Sequence, residues 1–153
     1  MYDVTVIGAG VIGGLTARAL TRYRLKVCIL ERESDVAMGA SGANSGIAHA
    51  GFDADTGTLK AKYNLLGAGM MPRVCEELGV KYRRNGSLVA AYTEEEEETL
   101  RILLARGAAN GVQGLSILSR EELFAAEPNI SEAARGALYA ETGGIVCPYG
   151  LTI

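Results

Sequence analysis

Three glycines at fixed spacing, Gly8, Gly10 and Gly13, stand between an apolar run and a helical pattern. "YDVTVIGAG" alternates and then runs apolar through Val4, Val6 and Ile7, as a buried parallel strand ending in a glycine turn does. "VIGGLTARALTRYR" follows at helical spacing. Ile12, Leu15, Ala19 and Tyr23 share one side, and Arg22 and Arg24 fall in the last turn, where cations suit the helix dipole. "LKVCILE" reads as a second buried strand, ending at Glu31. Strand, glycine turn, helix, strand and acid make a βαβ unit. G-x-G-x-x-G by itself is a weak signal; in this context each glycine has a task. Gly8 permits the tight turn, Gly10 lets a pyrophosphate approach the backbone, and Gly13 lets the helix pack on the strand. The pyrophosphate would rest on the helix N-terminus, whose free N–H groups and dipole favour anions. Glu31, close to the usual spacing of about 20 residues, would accept hydrogen bonds from an adenosine ribose and repel a 2′-phosphate.

The glycines go beyond this turn, 20 in 153 residues, against a usual share of about 7%. That excess marks sites of close backbone approach or tight turning. A net charge of −3 gives no electrostatic footprint for nucleic acid, and the short cluster Lys81, Arg83 and Arg84 does not change this. The cysteines Cys28, Cys75 and Cys147 are odd in number and far apart, which argues against a disulfide framework and for a reducing, cytoplasmic compartment. No apolar run is long enough to span a bilayer, while peripheral membrane contact stays open. No His, Cys and carboxylate cluster has metal spacing. The chain stops at "CPYGLTI" inside an apolar segment without a cap or polar tail, so we expect a piece of a longer protein.

Beyond residue 57 the pattern changes to helices and short strands. Leu59, Tyr63, Leu66, Met70, Val74 and Leu78 recur at helical spacing up to Gly79, with a kink or break expected at Pro72. "VKYRRNGSLVAAY" carries the hairpin signal Asn85-Gly86 between two short strands. Thr93 and Glu96 form a capping box for a helix bearing Leu100, Leu103 and Leu104, which frays toward Gly107 or Gly111. The run Glu94–Glu98 is read as carboxylates at the positive end of that helix. "LSIL" is a strand. Ser119 and Glu122 make a second capping box with Leu118 and Leu123 as its staple, Pro128 ends that helix, and "GALYAETGGIVCP" has strand character, with Cys147 a buried strand thiol.

Between the two patterns lies "SGANSGIAHAGFDADTG", small, polar and holding the only histidine, His49. A nicotinamide dehydrogenase would run on here into further βα units. "DVTVIGAGVIGGLTARAL", "VCILERE" and "GASGANSGIAHAGFD" instead resemble the FAD-dependent oxidoreductases of the D-amino-acid-oxidase and glycerol-3-phosphate-dehydrogenase superfamily. Within it, the glycerol-3-phosphate dehydrogenase-like and L-2-hydroxyglutarate oxidase-like branch is most similar, and "GSLVAAYTEEE", "SREELFAAEPNI" and "TGGIVCPYGLT" extend the likeness along the chain. The resemblance implies an α/β fold: a Rossmann-type FAD-binding βαβ unit with an appended α+β portion. Residues 1–57 would begin the FAD domain, 58–142 belong to the substrate or cap domain, and 143–153 return toward the FAD domain.

The resemblance also implies site residues. Gly8, Gly10, Val11, Ile12 and Gly13 would hold the FAD pyrophosphate, and Glu31 with Arg32 the adenosine end. Ser41, Gly42, Asn44 and Ser45 would lie along the phosphates and ribityl chain, and His49, Ala50 and Gly51 against the flavin ring. His49 would either pack there or take a proton from the substrate hydroxyl, as an imidazole can. In some relatives a histidine of this region is tethered to the flavin. The implied reaction is hydride transfer from a small anionic hydroxy compound to flavin, with glycerol 3-phosphate first and L-2-hydroxyglutarate, another 2-hydroxy acid or an amino acid as alternatives. Two rivals remain: a nicotinamide-binding domain on the same glycines, and a non-catalytic piece that binds FAD weakly and self-associates through an open sheet edge.

Overall fold

In the computed structural model, which describes residues 1–153, the chain begins as the glycine pattern requires. The elements run β1 (Val4–Ile7), α1 (Val11–Leu20), β2 (Val27–Leu30), β3 (Ile47–Ala48), α2 (Leu59–Glu77), β4 (Tyr82–Arg83) and β5 (Ser87–Ala91). They continue as α3 (Glu94–Asn110), β6 (Leu115–Ser119), α4 (Arg120–Ala126), β7 (Gly136–Ala140), β8 (Gly144–Val146) and α5 (Pro148–Thr152). By compactness the chain divides into two units. One holds residues 1–47, 75–81 and 146–153, the other 48–74 and 82–145.

In the first unit β1 and β2 pair in parallel, Val4 opposite Val27 through Ile7 opposite Leu30. α1 ends at Leu20, so Arg22 and Arg24 lie beyond it, and Arg18 is the cation of its last turn, paired with Glu77. The expected apolar side of α1 is not its inner side: Ile12 and Tyr23 are exposed and Ala17 is buried. The reason is steric, since Gly13 brings the helix against Val6 and the Gly8 carbonyl and leaves room only for small residues. Nor are the strands buried as expected. Ile7 is 87% and Leu30 58% exposed, because a sheet of two strands carrying one helix keeps an open side. The expected strand character before the chain's end is present in β7 and β8, but Cys147 is not the buried strand thiol expected. Pro148 stands at the first position of α5, where its fixed φ suits a helix, and Cys147 is an exposed N-cap whose Sγ accepts from the Gly150 N–H.

The second unit is built on β7, which pairs antiparallel with β5 on one edge and β6 on the other. Its core joins Phe52, Ala91, Leu100, Val112, Leu138 and Ala140, with Leu103 and Leu104 packed against them. Both capping boxes form, Thr93 with Glu96 and Ser119 with Glu122. Leu118 and Leu123 meet in a second cluster with Ala134 and Ala137, completing the staple. Of the acidic run, Glu94 and Glu97 bond Arg135. α3 does not fray at Gly107 but runs to a left-handed cap at Gly111.

Two expectations fail for identifiable reasons. β4 and β5 do not form a hairpin, because β4 joins the sheet β3-β8-β4 and β5 the sheet β5-β7-β6. Gly86 turns the chain between the sheets with φ +76, its N–H bonded to the Gly143 carbonyl and the Tyr139 ring where a Cβ would stand. Of the expected stripe of α2 only Val74 is buried; Leu59, Tyr63, Leu66 and Met70 are exposed, as is Leu78 beyond the helix, and Ala61 and Cys75 are the other side chains α2 buries. Pro72 lies inside α2 without ending it.

Leu138 is fully buried at the centre of β7, opposite Val89 and Ile117. Leu138→Ala should cost about 2–5 kcal/mol, read as a lower urea midpoint with an unchanged slope.

Candidate functional site

The turn between β1 and α1 is set by two backbone requirements. Gly8 sits at φ +99, where only glycine is unstrained. At Gly13 an added Cβ would fall 1.9 Å from the Gly8 carbonyl oxygen, so helix and turn touch backbone to backbone. Together they aim the start of α1 across the end of the strand. Gly10, the N-cap, has no side chain to satisfy the first-turn N–H groups. One of them is met from outside the helix: the Val11 N–H donates to Ser41 Oγ at 3.0 Å. Ser41 Oγ also lies 2.9 Å from where a Cβ on Gly10 would be, so it occupies the space that glycine leaves. A hydroxyl held there can rotate to donate to an anion.

Glu31 closes the other side. Its Oε2 accepts from the Ala9 N–H at 2.6 Å, and its Oε1 from the N–H groups of Arg32 at 2.7 Å and Glu33 at 3.0 Å. The Glu33 N–H, then that of Ala9, hold its carboxyl below the usual carboxylate range. It therefore stays ionised; Oε1 is filled by two N–H groups, and Oε2, with one, keeps a lone pair for a ribose hydroxyl. A cleft of about 260 Å³ opens here, lined by Gly10, Glu31, Arg32, Glu33, Met38 and Ser41 among others. That is below the roughly 300–1,000 Å³ of a pocket for a whole small molecule, and suits one end of an extended ligand. A larger cleft of the same unit, about 570 Å³, lies along α1, β2 and α5 and includes neither the glycine turn nor Glu31.

The loop after β2 is folded by its own small residues. Asn44 Nδ2 donates to the carbonyls of Ala40 and Ser41, and its Oδ1 accepts from the Gly46 N–H. A Cβ on Gly42 would collide with the Ala37 carbonyl and touch the Tyr149 hydroxyl. Ala37 takes a left-handed φ of +58, with its N–H on the Ala9 carbonyl. Ser45 is exposed, and Arg32 is exposed and paired with Glu33.

Of the residues expected to form a site, Gly8, Gly10, Val11, Ile12, Gly13, Glu31, Arg32, Ser41, Gly42, Asn44 and Ser45 fall in the first unit. His49, Ala50 and Gly51 fall in the second. The His49 side chain is exposed, whereas Ala50 is core and Gly51 is buried at φ +104 against Asn64. The smallness of Ala50 and Gly51 thus also serves the protein's own packing. Ala9, Ala37 and Tyr149 were not expected in the site. Their parts are played by backbone or by a contact distant in sequence, and no residue pattern marks either.

The family model for FAD-dependent oxidoreductases matches residues 3–153. A glycerol 3-phosphate dehydrogenase of Caloramator mitchellensis is 50% identical over the whole chain, which covers 32% of that protein. A mitochondrial L-2-hydroxyglutarate dehydrogenase of Pongo abelii is 36% identical over 129 residues, covering 83% of this chain and 31% of that one. Among solved structures, dithionite-reduced L-α-glycerophosphate oxidase from Mycoplasma pneumoniae with FAD bound superposes with a TM-score of 0.93 at 34% identity, covering 99% of this chain and 40% of that one. The chain belongs to the FAD-dependent oxidoreductase family. It spans about a third of the length of the curated relatives it matches.

Two outcomes test the geometry. Gly13→Ala should lower the stability of the first unit by about 3 kcal/mol, because backbone must move, whereas Gly10→Ala displaces only a side-chain hydroxyl and should cost under about 1 kcal/mol; thermal unfolding checks both. Glu31, ionised more readily folded than unfolded, contributes stability above its ordinary pKa of 4.5 and loses it as pH falls through its lower folded value. The melting-temperature advantage over Glu31→Gln should therefore hold at neutral pH and vanish in acid.

Proposed function

We propose that this chain carries the dinucleotide end and the ring-side segment of a flavoprotein that oxidises glycerol 3-phosphate. The observation that carries the substrate is the 50% identity, over the entire chain, to a glycerol 3-phosphate dehydrogenase. The cofactor reading is supported by the site itself. The start of α1 is capped only by Ser41, whose hydroxyl fills the space that Gly10 leaves and can turn to an anion, and Glu31 stays ionised at the end of β2. The residues present fit FAD.

In this reading Gly10, Ile12 and Gly13 offer backbone N–H groups to the pyrophosphate, and Ser41 Oγ exchanges its bond to Val11 for one to a phosphate oxygen. Glu31 Oε2 takes a hydroxyl of the adenosine ribose. FAD, when bound, supplies the acceptor for the hydride that leaves the substrate carbon. The chain's own part is to hold the ring and manage the proton. His49, the only histidine and exposed, accepts the substrate hydroxyl proton on an imidazole nitrogen as the carbon becomes a carbonyl. Ala50 and Gly51 keep the backbone beside it narrow.

The 36% identity to an L-2-hydroxyglutarate dehydrogenase favours a second substrate, a 2-hydroxy acid handled by the same chemistry. Anaerobic addition of each compound to the flavin-loaded protein separates the two readings. Loss of the flavin absorption near 450 nm with glycerol 3-phosphate is expected, at least about tenfold faster than with L-2-hydroxyglutarate, and the reverse order would replace the first reading with the second. His49→Gln should slow the bleaching by about 10²–10⁴-fold while leaving FAD bound.

A further inference from the structure

His49 opens a stretch that is otherwise almost entirely inside: Ala50, Gly51, Phe52 and Ala54 are buried. Buried backbone carbonyls need donors, and this stretch lies in no helix or strand to supply them. The donors come from the last turns of α3. Asn110 Nδ2 spends both of its hydrogens on this one segment, donating to the Gly51 carbonyl at 3.1 Å and the Ala54 carbonyl at 2.8 Å. One turn earlier, Arg106 Nη1 donates to the Asp53 carbonyl at 3.0 Å, and the guanidinium also pairs with Asp55 at 3.5 Å. Between them Gly107 lets the segment come close, since a Cβ there would stand 2.8 Å from the Cβ of Phe52 and 2.3 Å from Leu115. Three side-chain donor bonds and one close approach, all from Arg106 to Asn110, fix the residues from Gly51 to Asp55.

We propose that the end of α3 is the positioning element for His49: Arg106, Gly107 and Asn110 clamp the segment that follows the imidazole and thereby fix where its backbone stands. Arg106 and Asn110 bond the backbone after the imidazole, at Gly51, Asp53 and Ala54, so both are positioning residues. This rests on the reading that His49 borders the flavin, but the clamp is testable without the cofactor.

The chain's single histidine makes the test direct, because one imidazole signal reports the site. Asn110→Ala should raise amide hydrogen exchange across residues 49–55 by about tenfold, as expected for two net hydrogen bonds, and broaden or split the imidazole resonance. Exchange in the β5–β7 ladder should stay within about twofold. Unchanged exchange at 49–55 together with an unchanged imidazole signal overturns the proposal. If Asn110→Ala also opens the ladder, Arg106→Met decides, since it removes only the Asp53 bond and a partly exposed ion pair; a rise confined to 49–55 supports the clamp and no rise refutes it. FAD is then added to the unsubstituted chain and to Asn110→Ala. A shift of the imidazole signal in the first, at least halved in the second, joins clamp and flavin. No shift in the unsubstituted chain removes His49 from the flavin and leaves the cofactor-free comparison to judge the clamp.

Discussion

The contact between Gly13 and the Gly8 carbonyl sets the geometry on which the first unit depends. With a Cβ position only 1.9 Å from that oxygen, no other residue lets α1 start so close to the end of β1. The same closeness explains why α1 turns a small residue, Ala17, inward and leaves Ile12 outside. It also leaves the start of the helix facing outward without a cap of its own, so that Ser41, 30 residues on, supplies one oxygen to it. Helix-start donors, a helix dipole and a neighbouring carboxylate that accepts rather than donates are the features on which the proposed dinucleotide site rests, anion at one end and ribose beside it.

The second unit meets a different constraint. Between β3 and α2 the backbone at Ala50, Gly51, Phe52 and Ala54 is buried but has no strand partner, and side chains replace the missing ladder. Asn110 and Arg106 serve the carbonyls of Gly51, Asp53 and Ala54, just as Glu96 and Glu122 serve the N–H groups at the starts of α3 and α4. The result is an exposed His49 at the head of a stretch whose Ala50, Gly51, Phe52 and Ala54 are buried.

What could be read from the sequence was what local chemistry determines. The βαβ order, both capping boxes, the Leu118–Leu123 staple and the acid after the second strand are short-range patterns with one physical solution. The errors came where distant residues decide. Asn85-Gly86 has the residues of a hairpin, yet Gly86 bonds Gly143 and carries the chain from one sheet to another. The apolar period of α2 pointed to Leu59, Tyr63, Leu66, Met70, Val74 and Leu78 as its inner side, but of these only Val74 is buried, together with the small Ala61 and Cys75. In the candidate site, spacing marks the glycines of the turn and Glu31, whereas Ala9 and Ala37 act through backbone that no residue pattern marks; in the second unit, Asn110 acts on carbonyls 56 or more residues away.

The central claim is that the start of α1, with Glu31, binds FAD. Titrating FAD into the isotopically labelled chain, with NADH as the comparison, and following backbone amide shifts tests it most directly. The account predicts the largest shifts at Gly10, Ile12 and Gly13, loss of the Val11 signal's position as Ser41 lets go, and a response to FAD at concentrations well below those needed for NADH. Shifts confined to other residues, or a response to NADH that equals or exceeds that to FAD, would contradict it.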